Sequence, residues 1–395
     1  MDRLTRRSFV AAAGMAALSG CAGAGSGATE ERTAAVTEEV DDASTESEST
    51  TSSREASPTA EPRPSATPGG SSPPVAEGRL PLSLSPSELQ NRAVSGGPSK
   101  DGIPSIDSPK TVSAGKAGNW LRDESVVFGV VRNGEARAYP RSIVVWHEIV
   151  NDVIGGDPAS ITYCPLTGTA LGFERGETTF GVSGRLVNNN LIMYDRSTEH
   201  WWPQVIATSI PSPWNESYAT RSLREFRLVW TTWGRWREVH PDTGVLSRDT
   251  GFIRNYDSDP YGRYVPDRGG YYAPESATLF APLNPDDRYA PKRVVIGART
   301  PEGAIAFLKD GLREKKLIEG DLAGTPHLGV YDPALDTGYV YRNSGGAAFE
   351  FSDGEVVAED GTAHAPDSLP LRRVGAFDAM WFAWIGFYPD SSVHE

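Results

Sequence analysis

Cys164 is the residue in this chain best suited to covalent chemistry. The chain has two cysteines. The other, Cys21, follows Leu18-Ser19-Gly20, the small-residue ending of a lipobox, where a cysteine becomes the lipidated first residue of the mature protein and its sulfur is blocked as a thioether. Cys164 is then left without a partner, and an intramolecular disulfide is excluded. A thiol attacks as its thiolate, and an unperturbed cysteine has a pKa of about 8.5, so a working site must lower it. Thr167, three residues on across Cys164-Pro165-Leu166-Thr167, is placed to hydrogen-bond the sulfur. His147 is a candidate base or cation, and Arg185 a second cation. Without a resolving cysteine, an oxidised Cys164 needs an external thiol or redox partner for recovery. The competing reading is a buried cysteine that packs as a small hydrophobe.

Two other classes of function stand beside thiol chemistry. No cofactor is evident, but Cys164, His147, Met193 and His200 offer the soft and imidazole ligands that copper or zinc favours. They lack the close spacing of His-x-His, Cys-x-x-Cys or His-Glu-x-x-His. The third class is a non-catalytic cell-surface binding module, with Trp201-Trp202, Trp230, Trp233, Trp236, Trp381 and Trp384 as a binding face; tryptophans at such spacings equally make core. Gly181-Val182-Ser183-Gly184 lacks the Gly-x-Ser-x-Gly spacing of a nucleophile elbow, which argues against a serine hydrolase. A formal charge of −14, with no cluster of Lys and Arg, argues against nucleic acid as a partner.

The elements that position Cys164 belong to a repeat. Val126–Arg175 realigns with Val294–Asn343 at a constant offset of 168 residues, and ten of the fifty aligned positions are identical, among them Gly129/Gly297, Tyr163/Tyr331, Pro165/Pro333 and Thr169/Thr337. Each copy reads as a strand, a turn (Asn133-Gly134 in the first), a second strand, a helical or irregular segment (Arg141–Asn151; Lys309–Glu319), an extended run, a Pro-containing turn and a last strand. Asp332 takes the place of Cys164 in the second copy, so a shared site in which a thiol faces a carboxylate is expected. Gly181–Leu186 and Leu191–Asp195 flank Asn188-Asn189-Asn190, which suits a turn with positive φ. Trp233–His240 predicts one short helix, stopped before Pro241. The fold class is α+β, dominated by β, with two related modules (about 126–175 and 294–343) in one compact domain.

The ends set the location. Arg3, Arg6 and Arg7, then the apolar run Phe9–Leu18, read as a twin-arginine lipoprotein signal over residues 1–20. The apolar run is too short to span a bilayer core of about 30 Å. Residues 21–79 form a lipid-anchored stalk rich in Ser, Thr, Glu and Pro. Residues 22–79 hold no Trp, Tyr or Phe and carry eleven acidic against four basic residues, a composition that does not order itself. The globular domain is expected over 80–395. These readings place the protein at the cell membrane, lipid-anchored, on the extracytoplasmic face.

Several segments resemble the domain of unknown function 3179 family of envelope proteins. They are Asp101-Gly102-Ile103-Pro104, Arg137-Ala138-Tyr139-Pro140, Trp146-His147-Glu148-Ile149-Val150-Asn151-Asp152, Thr162-Tyr163-Cys164-Pro165-Leu166-Thr167-Gly168-Thr169, Ser183-Gly184, Leu191-Ile192-Met193-Tyr194-Asp195 and His240-Pro241-Asp242-Thr243. The usual pattern of the family at the turn is Cys-Pro-Leu-Cys-Gly, and some members are selenoproteins, which implies redox chemistry there. Thr167 stands where that pattern has its second cysteine. The vicinal dithiol is therefore missing, and with it the basis for a thioredoxin-like mechanism.

Overall fold

The structure is a computed structural model that describes residues 71–395, except 216 and 218. The export signal, Cys21 and most of the stalk lie outside the described residues. Among the described residues no helix is long and apolar enough to cross a membrane.

The first module opens with a hairpin, β1 (Val126–Arg132) and β2 (Glu135–Pro140), joined by Asn133 and Gly134 at φ 48° and 79°. That pair of positive φ values gives a turn whose twist matches the strands. One turn of helix follows, α1 (Arg141–Val144), then β3 (Ile149–Ile154), β4 (Asp157–Cys164) and β5 (Thr169–Glu174). A second hairpin, β6 (Phe180–Val187) and β7 (Asn190–Asp195), turns at Asn188 and Asn189 with φ 51° and 60°. The module closes with β8 (Glu225–Phe226), β9 (Val229–Thr232), α2 (Trp233–Val239) and β10 (Gly244–Leu246).

The second module repeats this plan as β11 (Val294–Thr300), β12 (Gly303–Leu308), α3 (Lys309–Lys315), β13 (Leu317–Leu322), β14 (Thr325–Asp332) and β15 (Thr337–Arg342). It closes with β16 (Arg372–Val374), β17 (Ala376–Met380), α4 (Trp381–Phe387) and β18 (Ser392–His394). Strand order agrees between the modules. β9-β1-β2-β10 corresponds to β17-β11-β12-β18, and β8-β5-β4-β3 to β16-β15-β14-β13, although the first of these sheets carries one more edge strand, Thr111–Ser113, antiparallel to β10. In both modules β2 with β10 and β12 with β18 are the parallel pairings, and the other shared pairings of these sheets are antiparallel.

The segments expected to be helical or irregular, Arg141–Asn151 and Lys309–Glu319, are shorter helices that give way to strands at Ile149 and Leu317. A residue of positive φ follows each helix, Glu148 (φ 58°) four residues past α1 and Lys316 (φ 69°) directly after α3. Their N–H groups close the last turn onto Val144 O and Leu312 O, at 2.7 and 2.8 Å, and redirect the chain.

The repeat also runs further than a constant offset reveals. Trp233 and Trp236 in α2 answer to Trp381 and Trp384 in α4, and all four are buried. Trp236 Nε1 donates to Thr243 Oγ1 at 3.0 Å and Trp384 Nε1 to Ser391 Oγ at 2.9 Å. A Cβ at Gly129 would lie 2.3 Å from the Trp236 ring, and one at Gly297 2.1 Å from that of Trp384. Each indole thus occupies the space that a side chain on the central strand would need, which explains the repeated glycine.

The modules grip each other through their Pro-containing turns. Thr167 O, in the β4–β5 turn, accepts the Met380 N–H at the β17–α4 junction at 3.0 Å. In return, Arg235 of α2 donates to Ala334 O at 3.2 Å and to Pro333 O, and Leu335 packs with Trp233 and Trp236. The apolar core is continuous around the first turn, where Cys164 and Leu166 join Met380, Trp381 and Trp384. The folded unit also takes in residues that composition assigns to the stalk: Val75 pairs with Leu223, and Ala76 N donates to Ser222 O at 2.8 Å.

Between the modules, residues 247–293 form a long strap whose one regular piece is the short 3-10 turn Gly270–Tyr272. Polar pins hold it down. Phe280 N donates to Asn189 Oδ1 at 2.7 Å, Asn189 Nδ2 to Phe280 O at 2.9 Å, and Leu283 N to Asn188 Oδ1 at 2.9 Å. Arg141, buried in the first module, pairs with Asp259 of the strap and donates to Tyr272 Oη at 3.2 Å.

Candidate functional site

Cys164 is the last residue of β4, where the strand enters the turn docked on the second module. Its sulfur accepts the Leu191 N–H at 3.4 Å and donates to Asn189 O at 3.6 Å, both from the β6–β7 hairpin. It is 1 % exposed. Burial, and then the nearby Glu148 carboxyl, push the thiol up to about 11, against weaker help from Thr167 and the Leu191 N–H. The resting sulfur is therefore a protonated thiol at neutral pH.

Thr167 is buried under the turn in a polar network. Its hydroxyl lies 2.8 Å from that of Thr169, which donates to Gln204 Oε1 at 2.6 Å. Thr167 must then donate to Thr169, while its oxygen accepts from Asn190 Nδ2 at 3.0 Å. Gln204 Nε2 completes the network at Thr162 Oγ1, 2.9 Å away. The Thr167 hydroxyl proton is thus already spent, and N–H groups are what remain to favour a thiolate.

His147 takes no part at the sulfur. Its Nδ1 faces Pro104 O at 2.8 Å and its Nε2 faces Tyr256 Oη at 2.8 Å. A carbonyl can only accept, so Nδ1 carries the proton and Nε2 accepts from the phenol. Burial lowers the imidazole to about 4. It is a neutral tie between the strap and the first module. Arg185 is exposed on β6.

Asp332 does not join Cys164 either. Its carboxylate accepts the N–H groups of Ala334 and Leu335 in its own turn, at 2.9 and 3.2 Å. Burial raises its pKa, and its charged neighbours are Asp367 and Arg227. The shared thiol–carboxylate site expected from the repeat is not formed by this residue.

The four weak metal candidates do not converge. Met193 is buried in the core on β7. His200 engages Thr198 Oγ1 and Ser217 O, each at 3.0 Å, through its two ring nitrogens. His147 likewise has no free nitrogen. Among the described residues no group of three or more His, Cys, Asp or Glu side chains is placed to hold a metal ion.

The residues that do surround the sulfur are ones that the sequence reading left unassigned. Glu148, adjacent to the tied His147, is 6 % exposed and has no side-chain hydrogen bond or ion pair among the described residues. Burial alone pushes it up to about 8, and its carboxyl is close enough to act electrostatically on Cys164 and on Tyr261 of the strap. Tyr271 closes the other side, with its phenol on Leu166 O at 2.7 Å. Glu148 was visible as part of Trp146-His147-Glu148, but nothing in spacing says that the histidine turns away and the carboxyl turns in. The tyrosines lie in a segment without periodicity, and their only sequence signal is their density between 256 and 272. A surface groove of about 260 Å³ is lined by Val75–Arg79 and Thr220–Ser222 rather than by Cys164.

A model of the DUF3179 family, described as a protein of unknown function, matches residues 100–391. The chain belongs to that family. Neither the curated proteins nor the solved structures contain a significant match to it.

Proposed function

We propose that this is a lipid-anchored envelope protein that exchanges disulfides through a single thiol, Cys164. One observation carries the reading: although Cys164 lies in the apolar core, two polar groups engage its sulfur, the Leu191 N–H and Asn189 O. A cysteine serving only as a small hydrophobe does not need those two contacts. The reaction is Cys164–SH with R–S–S–R′ to give Cys164–S–S–R and R′SH. One S–S bond breaks and one forms, and the thiol proton leaves with R′SH. An external thiol returns Cys164 by the same step in reverse. Cys164 is 1 % exposed, so the structure around it must part for a disulfide to reach the sulfur. Anchoring through Cys21 after twin-arginine export keeps this chemistry on the outer face.

The test uses the full chain recovered from membranes and treated with glutathione disulfide. Intact mass is expected to show one glutathionyl adduct, mapped to Cys164 and absent from Cys164→Ser, while Cys21→Ala shifts the chain out of the membrane fraction. If the native chain takes no adduct and the urea-unfolded chain does, Cys164 is structural and the exchange reading is wrong.

A further inference from the structure

A cleft opens between the two sheets of the second module, far from Cys164 in the sequence. Thr300, at the end of β11, lines one side, and Thr325, His327, Arg342, Arg372 and Val374 line the other. His327 on β14 lies opposite Arg342 on β15, and Arg342 lies opposite Arg372 on β16. Residues opposed in this way project from one face of a sheet whose strands are about 4.8 Å apart, so three basic groups stand in a row. Like charges placed opposite each other are destabilising. Arg342 Nε donates to Ser344 Oγ at 3.1 Å, but neither guanidinium has an ion pair among the described residues.

The first module closes the same place with its own side chains. There the Arg132 guanidinium lies 4.4 Å from the centre of the Phe226 ring and pairs with Asp157 at 3.2 Å and Glu174 at 3.4 Å. Glu174 also lies 3.9 Å from Arg224. The offset of 168 carries Arg132 to Thr300, Asp157 to Thr325, Ala159 to His327 and Glu174 to Arg342. The pairing of the closing strands carries Arg224 to Arg372 and Phe226 to Val374. The second module thus shortens the side chain that fills the cleft, removes both carboxylates, and adds an arginine and a histidine. What remains encloses about 20 Å³, room for one water-sized group. Glu302, the one acid that lines it, is exposed at the rim.

His327 supplies a second, independent sign of a ligand. It is 3 % exposed, and its Nδ1 faces Thr325 O at 2.9 Å. A carbonyl only accepts, so in the neutral ring Nδ1 carries the proton and Nε2 is an acceptor. That Nε2 is buried with no hydrogen-bond partner among the described residues. On the other side of His327 the row ends at Gly320, where a Cβ would lie 2.8 Å from the His394 ring.

We propose that this cleft binds inorganic phosphate. One protonated oxygen enters and donates to His327 Nε2, while the anionic oxygens lie between Arg342 and Arg372. Guanidinium forks match the oxygens of a tetrahedral anion, and the phosphate relieves the repulsion between the two arginines. An acceptor at the base of the cleft selects an anion that keeps a proton at neutral pH. Inorganic phosphate does so, sulfate does not, and a phosphate monoester has largely lost its second proton there, with a pKa of about 6. The site is separate from Cys164 and does not depend on the exchange reading.

The experiment is equilibrium dialysis of the full chain with radiolabelled inorganic phosphate at neutral pH and fixed ionic strength. One phosphate per chain is expected, with sulfate and glycerol 3-phosphate competing at least about tenfold less well, the worth of one charge-assisted hydrogen bond. Arg342→Gln and Arg372→Gln should each weaken binding by about tenfold or more. Arg342→Glu rebuilds the acid–arginine pair of the first module, so it should unfold in urea no earlier than the wild type and bind no phosphate. His327→Ala, the residue of the first module, should bring phosphate and sulfate to similar affinity. Absence of uptake by the wild type, or uptake that survives Arg342→Glu, overturns the site. Equal competition by sulfate in the wild type would show an adventitious ion only, and equal competition by glycerol 3-phosphate would remove the acceptor role of His327 and with it the assignment to inorganic phosphate.

Discussion

The two Pro-containing turns occupy the same place in two copies of one module and meet opposite electrostatic fates. In the second, Asp332 is a carboxylate with partners: two N–H groups of its own turn receive it, and Arg227 lies nearby. In the first, the carboxyl is not in the turn at all but at Glu148, and it has no side-chain hydrogen bond or ion pair among the described residues. The position of Glu148 is taken in the second module by Lys316, solvated and stacked over Tyr331. Scaffold needs are therefore met in the second copy by ordinary means. The departures of the first copy, a thiol for a carboxylate and a buried acid for a lysine, fall close together in the fold, since Glu148 O accepts the N–H of Tyr163, the residue before Cys164, at 2.8 Å. That coincidence separates a site from a scaffold within one chain, with the second module as internal control.

The comparison breaks most visibly if the modules are not structurally equivalent. Trp236→Ala and Trp384→Ala each remove a fully buried indole from the face of a repeated glycine, and each should cost about 3–5 kcal/mol in guanidinium unfolding. Similar losses, each in a single transition, support equivalence and mutual docking; a variant in which one module melts alone would show that the modules are independent.

A somewhat smaller effect sharpens the contrast between the two acids. Glu148 stands near 8 in the folded chain against an ordinary 4.5. A folded pKa raised in this way means that the protonated acid is the one the fold tolerates. Stability is full below about pH 4.5 and declines as pH rises to about 8. Glu148→Gln should remove that part of the slope and be the more stable protein at pH 8, as judged by urea titrations at several pH values. An unchanged slope would place the acid in solvent.

The smallest effect concerns the control. Asp332→Ala leaves two turn N–H groups without their acceptor and should cost about 1–2 kcal/mol at neutral pH, with no change in adduct formation at Cys164. Altered exchange in that variant would restore the shared site that the geometry separates.

Much of the architecture was legible in the chain. The offset of 168 located both modules, and Asn133-Gly134 and Asn188-Asn189 announced their turns because left-handed backbone narrows the choice of residue. The equivalence of the closing strand–helix–strand segments of the two modules escaped notice for a physical reason. The tolerant segments before it, residues 175–228 and 343–375, differ in length, which breaks a constant offset, although Trp-x-x-Trp followed by Thr243 or Ser391 was there to be matched. Cys164 was legible as the centre of the site because its isolation and its turn are properties of the sequence. Its surroundings were not. That His147 turns to Pro104 O and Tyr256 rather than to the sulfur depends on contacts far away in the chain, and Tyr261 and Tyr271 arrive from a strap whose path no periodicity encodes.

Each turn of this protein lodges on the other module's strand–helix junction, so the debt is mutual. Reciprocal contact of this kind is how two identical subunits meet across a twofold interface. The chain can be understood as such a pair joined end to end. Once joined, the two halves no longer had to stay alike, and a symmetric partner gave one half the freedom to lose what the other kept. The thiol sits in the half that changed, held in place by the half that serves as its frame.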